Sequence, residues 1–141
     1  MGNSRLLRRQ IIESLTMQHT ENVADTAIQR WELLAAQIIS IVGEGGFNAL
    51  YIRSAFLAQS TFPWLPAIPL PSQTDARFAV LKKSLEAQIP AQVIAANSLL
   101  LITLTDILAS LIGEDLTTRI LRSAWGDDAA SVTGQEFQHE Q

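Results

Sequence analysis

The sequence predicts an all-α protein, a compact bundle of about six helices. Three observations predict it. Apolar residues recur at steps of three and four along most of the 141 residues, which is the spacing of one helical face. Glycine and proline fall at the ends of those periodic stretches, where helices stop or start. One phrase also occurs twice. Val42-Gly43-Glu44 leads after eight residues to Arg53-Ser54-Ala55-Phe56, and Ile112-Gly113-Glu114 leads after seven to Arg122-Ser123-Ala124-Trp125. Repetition at that spacing predicts an internal helix–Gly–helix pseudo-repeat, with units at about 23–59 and 91–125.

Taken in order, residues 5–18 carry a stripe of Leu6, Leu7, Ile11, Ile12 and Leu15. Arg5, Arg8 and Arg9 lie near the start of this helix, where the helix dipole disfavours positive charge. The expectation is a solvated, loosely held end. Thr20 or Asn22 suits the cap of the next helix, whose buried side is Val23, Ala27, Trp31, Leu34, Ile38 and Ile41. Gly43, with Gly45 and Gly46 close behind, then stops or sharply bends it. A further helix over 47–59 buries Phe47, Leu50, Tyr51 and Leu57.

Residues 62–71 hold four of the five prolines. Proline removes backbone donors and holds its predecessor extended, so this stretch is an apolar strap that inserts Trp64 and Ile68 between helices. Ser72 and Asp75 have capping-box spacing. The helix they open buries Phe78, Leu81, Leu85 and Ile89. Pro90 fits the first position of the following helix, which runs to Ile112 and is apolar nearly all round, as for an element enclosed by others. The last helix starts near Glu114 and buries Leu116, Ile120, Leu121 and Ala124. The chain thus divides into one helical domain, 1–126, and a polar, acidic tail, 127–141.

Composition narrows function. Hydrophobic residues make up 48% and charged residues 17%, against about 25% charged in an average soluble domain. Such a chain is expected to bury more than its own core, through a homodimer or another protein partner. The net charge of −4 disfavours nucleic acid. Val93–Ile112 is long enough to span a bilayer, but Asn97, Asp106 and several hydroxyl residues interrupt it, so no stable membrane insertion is expected. No secretory signal is visible, and a cytoplasmic location fits.

Chemistry is sparse. There is no cysteine, and His19 and His139 stand in no metal-ligand spacing, so neither metal nor cofactor is expected. Hydrolase and P-loop signatures are missing, and no catalytic residue is assigned. The repeated charges are candidates for crossed ion pairs, Glu44 with Arg122 and Glu114 with Arg53, which would set the register of the two halves. Alternatively Arg53, Arg122, Glu44, Glu114 and Asp106 line a ligand pocket between the repeats. Asp106 lies in the most apolar stretch and needs a partner. Trp31, Ile38, Trp64 and Trp125 are candidate interface residues. The stretch from Leu111 to Trp125 resembles small helical bacterial proteins, a resemblance that implies no catalytic residue. The expected function is a non-enzymatic bacterial regulatory or adaptor protein working through helix contacts. A small-molecule sensor is the alternative.

Overall fold

The computed structural model describes residues 6–12, 23–67 and 77–125. Among them every regular element is a helix. Residues 6–12 form α1. They are followed by α2 (Val23–Ala58), α3 (Ala79–Glu86), α4 (Pro90–Ile112) and α5 (Glu114–Trp125). Helix α2 is the hub, packing against α3, α4 and α5. Leu15, the Thr20 and Asn22 caps, Ile68, the Ser72–Asp75 capping box, both histidines and the tail lie outside the described residues.

Gly43 breaks α2 with φ 83° and ψ 167°, a region open essentially to glycine alone. The chain turns there and resumes a helix at once. The bend falls at Gly43, where the sequence places it, and Gly45 and Gly46 lie within the resumed helix because one left-handed residue suffices. Gly113 adopts nearly the same geometry, φ 98° and ψ 156°. Its N–H closes α4 on Ala109 O, and its own carbonyl accepts the Thr117 N–H of α5.

Burial follows the same count from each glycine. Before it, Trp31, Leu34, Ala35 and Ile38 are buried in α2, and Leu101, Leu104, Thr105 and Leu108 in α4. After it, Phe47, Leu50, Tyr51, Ser54 and Ala55 are buried, as are Thr117, Ile120, Leu121, Ala124 and Trp125 in α5. The two helix pairs therefore present the same faces inward. Two indole donors tie them together. Trp31 Nε1 donates to Asn97 Oδ1 at 2.7 Å, and Trp125 Nε1 to Arg30 O at 3.1 Å. Around Trp31 sit Tyr51 and Phe78 at ring-centre distances of 5.6 and 5.7 Å, with Phe47 beyond them. Offset and edge-on pairs of this kind add to plain burial.

Several expected core residues face outward. Ile41, Leu57 and Leu116 are exposed, because Ile38, Ala58 and Ile120 take the inward positions. Ile89 is exposed because it precedes Pro90 and is extended (φ −68°, ψ 154°), so α3 has already ended. Pro90 then opens α4 at its first turn. That helix is not enclosed: its buried residues form one stripe, and Leu111 is 67% exposed. The strap begins as tight turns rather than extended chain, with Phe62 N bonded to Ala58 O and Leu65 N to Phe62 O. Leu65 inserts fully, while Trp64 is half-buried and stacks edge-on against Phe62. By length and composition, α2 and α4 are apolar enough to cross a membrane.

Candidate functional site

The most concentrated chemistry lies where α1 meets the Gly113 turn. In α1, Arg8, Ile11 and Ile12 share one face by helical spacing, and all three are buried. The Arg8 side chain is 1% exposed. Its guanidinium grips Glu114 as a fork, Nε to Oε2 and Nη2 to Oε1, both at 3.0 Å. Nη2 also lies 2.8 Å from Asp106 Oδ1. Nη1 donates to Thr105 Oγ1 at 2.8 Å, and that hydroxyl donates in turn to Leu101 O. Arg9 approaches the other Asp106 oxygen at 3.4 Å.

Each acceptor is placed by its own element. Thr105 and Asp106 are adjacent in α4, and Glu114 is the first residue of α5, where a carboxylate also suits the helix dipole. Desolvation pulls the Arg8 pKa down, but its hydrogen bonds to Glu114 and Asp106 outweigh this, so the guanidinium is held above its usual value. The cluster stabilises a buried cation and orients it. Its acids are engaged with arginine, and among the described residues no group of three or more His, Asp or Glu is placed to hold a metal.

The expected site residues divide among different places. Asp106 and Glu114 come together, joined by Arg8. Glu44 stands apart, 55% exposed and 3.8 Å from the buried Arg77. Arg53 and Arg122 are exposed on their helices. The crossed pairs are replaced by Glu114–Arg8 and Glu44–Arg77, since the inward positions after each glycine go to apolar and small residues. Trp31, Ile38 and Trp125 are packed in the chain's own core, so of the expected interface residues only Trp64 keeps substantial surface. Arg8, Thr105 and Arg77 were not anticipated. A signal for Arg8 existed, since it shares the helical face of Ile11 and Ile12.

Two further surfaces involve α2. A cleft of about 310 Å³ lies beside the Gly43 bend, lined by Glu32, Ala36, Ile39, Glu44, Arg77 and Phe78. Leu33, Ile41, Phe56 and Leu57 of α2 are between 42% and 66% exposed. No protein-family model, curated protein or solved structure matches the chain.

Proposed function

We propose that this protein is a non-enzymatic interaction module that works by docking helix faces against a partner, in a regulatory or adaptor role. One observation carries the reading. The most apolar 18-residue stretch of α2 has a mean hydropathy of 1.4, yet only 28% of it is buried within the chain. Apolar surface left on the outside of a helix marks an interaction site. From Leu33 to Ile52 the only ionisable groups are Glu44 and the buried Tyr51, so little charge opposes desolvation of that face.

The reading includes a fold proposal. The helix–Gly–helix units at about 23–59 and 91–125 are a pseudo-repeat, so that four of six helical segments flank two equivalent bends. The matching glycine geometry and the shared burial count support it. The preferred partner is a second copy of the chain, in a water-soluble dimer.

Sedimentation velocity on the full chain tests this, with Ile41→Glu and Phe56→Glu as paired variants. The expected result is a concentration-dependent dimer that both variants dissociate while keeping the native circular dichroism. A monomer at every concentration would overturn it. The cleft beside Gly43 favours a second reading, a small-molecule sensor with Glu44 and Arg77 at its polar edge. A stoichiometric extra mass in the native mass spectrum, lost on denaturation, would select that reading.

A further inference from the structure

We infer that the cleft beside Gly43 binds a small zwitterion, an α-amino acid with an apolar side chain, whose carboxylate is held by Arg77 and whose ammonium is held by Glu44. The inference rests on the second reading above, the cleft as a ligand site, and names the class of ligand.

A contrast between two buried arginines carries the inference. The Arg8 guanidinium is closed in by acceptors from Glu114, Asp106 and Thr105. The Arg77 side chain is 7% exposed, yet its contact with Glu44 is 3.8 Å, Nη2 to Oε1. That distance is too long for a hydrogen bond, and among the described residues the Arg77 guanidinium makes none. A guanidinium keeps its charge at any ordinary pH, and burying a charge is costly unless it is paired and hydrogen-bonded. Arg77 forms part of the cleft wall, so the acceptor it lacks can reach it from the cleft. A carboxylate matches its fork of donors.

The other charges of the lining call for a cation in the same ligand. Arg77 is accompanied by Glu32 and Glu44, both exposed, so acids outnumber the base and a bare anion is opposed. An ammonium beside the carboxylate answers Glu44. The spacing fits an α-amino acid, which carries both charges on one carbon, because Glu44 Oε1 and Arg77 Nη2 are themselves only 3.8 Å apart.

The rest of the wall is apolar. Ala35, Ala36 and Ile39 lie with Glu32 on one face of α2 before the bend, and Phe78 closes the cleft from the start of α3. These residues suit an apolar side chain. The volume of about 310 Å³ is at the small end of ligand pockets, about 300–1,000 Å³, and so limits the ligand to a small molecule.

The test is calorimetric titration of the full chain with L-valine, L-leucine, L-methionine and L-phenylalanine. At least one is expected to bind, one molecule per chain. Two analogues of the tightest binder follow, the amine without its carboxylate and the acid without its amino group. For leucine these are isoamylamine and 4-methylpentanoate. Each is expected to bind about tenfold or more weakly, since each leaves one charged group of the cleft unanswered. Arg77→Gln and Glu44→Gln are expected to weaken the amino acid by about tenfold or more. Glu44→Gln should leave the acid analogue unchanged, and Arg77→Gln the amine. An analogue that binds as tightly as the amino acid, or full affinity in both variants, would overturn the inference and leave the cleft to another class of ligand. No binding by any of the four would overturn it as well. An extra mass in the native spectrum would then still uphold the sensor reading, and its absence would remove both. Should Arg77→Gln fail to fold, the analogue titrations on the wild-type chain decide alone. Ile41→Glu and Phe56→Glu lie outside the cleft lining and leave these titrations unchanged, so this inference and the α2-face reading fail separately.

Discussion

The bends at Gly43 and Gly113 share their backbone and differ in what surrounds it. Both glycines take a left-handed φ, and the helices on either side bury the same positions. Yet Glu114 holds a buried arginine with two hydrogen bonds, while Glu44 stands 3.8 Å from Arg77 and is 55% exposed. Phe56 is 66% exposed and Trp125 is 6% exposed. The second difference has a simple origin. The second copy of the phrase is one residue shorter between its Glu and its Arg, and one residue turns a helix by about 100°. Trp125 therefore occupies the inward position that Ala55 holds in the first copy, and Phe56 is carried outward. Similar words in a sequence do not mark equivalent sites when the count from the bend differs.

Substitutions at matched places sharpen this comparison. The largest difference is expected at the aromatics. Trp125→Ala removes a buried indole and its bond to Arg30 O and is expected to cost about 3–5 kcal/mol, against about 0.5 kcal/mol or less for Phe56→Ala, both read by urea denaturation. Equal losses would mean that the aromatics are equivalent after all.

The acids come next. Glu114→Ala leaves the Arg8 guanidinium buried with two of its four polar contacts gone. Its cost is expected near 3 kcal/mol, at the low end for a broken buried pair because Glu114 is itself partly solvated. Glu44→Ala is expected to change stability by about 0.5 kcal/mol or less. A Glu44 loss as large as that of Glu114 would break the contrast.

The glycines are where the two bends should agree. A Cβ at Gly43 or Gly113 meets nothing within 4 Å, so Gly43→Ala and Gly113→Ala each incur backbone strain alone, about 1–3 kcal/mol. Gly45 is helical with open space around it, and Gly45→Ala is expected to raise the melting temperature through a gain of about 0.5–1 kcal/mol. Strain at one bend only would end the claim that they share a conformation for the same reason.

A pH titration separates the bends most finely. Tyr51 stands where Leu121 stands, counted from the glycine. Burial pushes the Tyr51 phenol well above its ordinary value near 10. The unfolded chain then ionises first as pH rises. The contribution is fully present below pH 10 and declines above it, as the unfolded phenol loses its proton while the folded one keeps it. Alkaline denaturation midpoints should therefore shift upward in Tyr51→Phe, and an unchanged midpoint would remove Tyr51 from the account.

Much of the fold was legible in the sequence because it follows from local rules. Helical spacing found Trp31, Leu34, Ile38, Phe47, Leu50 and Leu85 in the core. Pro90 and Gly113 marked boundaries through backbone conformation alone. Less of the candidate site was legible. The acid near Gly113 and the lone Asp106 were picked out as residues needing partners, but their partner was placed in solvent. The helix dipole argued that arginines at the start of α1 would be loosely held. That local term, typically 0.3–1 kcal/mol, is smaller than a desolvated fork with two carboxylates, which comes from residues about a hundred positions away.

By itself the sequence determined that this chain is helical, where its bends lie, and which faces carry apolar residues. Each of those depends on residues within a turn or two of one another. Only the tertiary structure decided which of two equally apolar faces turned inward. It also decided that Ile41 and Phe56 remain outside while Trp125 does not, and that Arg8 is enclosed by Thr105, Asp106 and Glu114. Those outcomes are set by competition for the same buried volume among segments distant in the chain, and periodicity within one segment carries no information about its competitors.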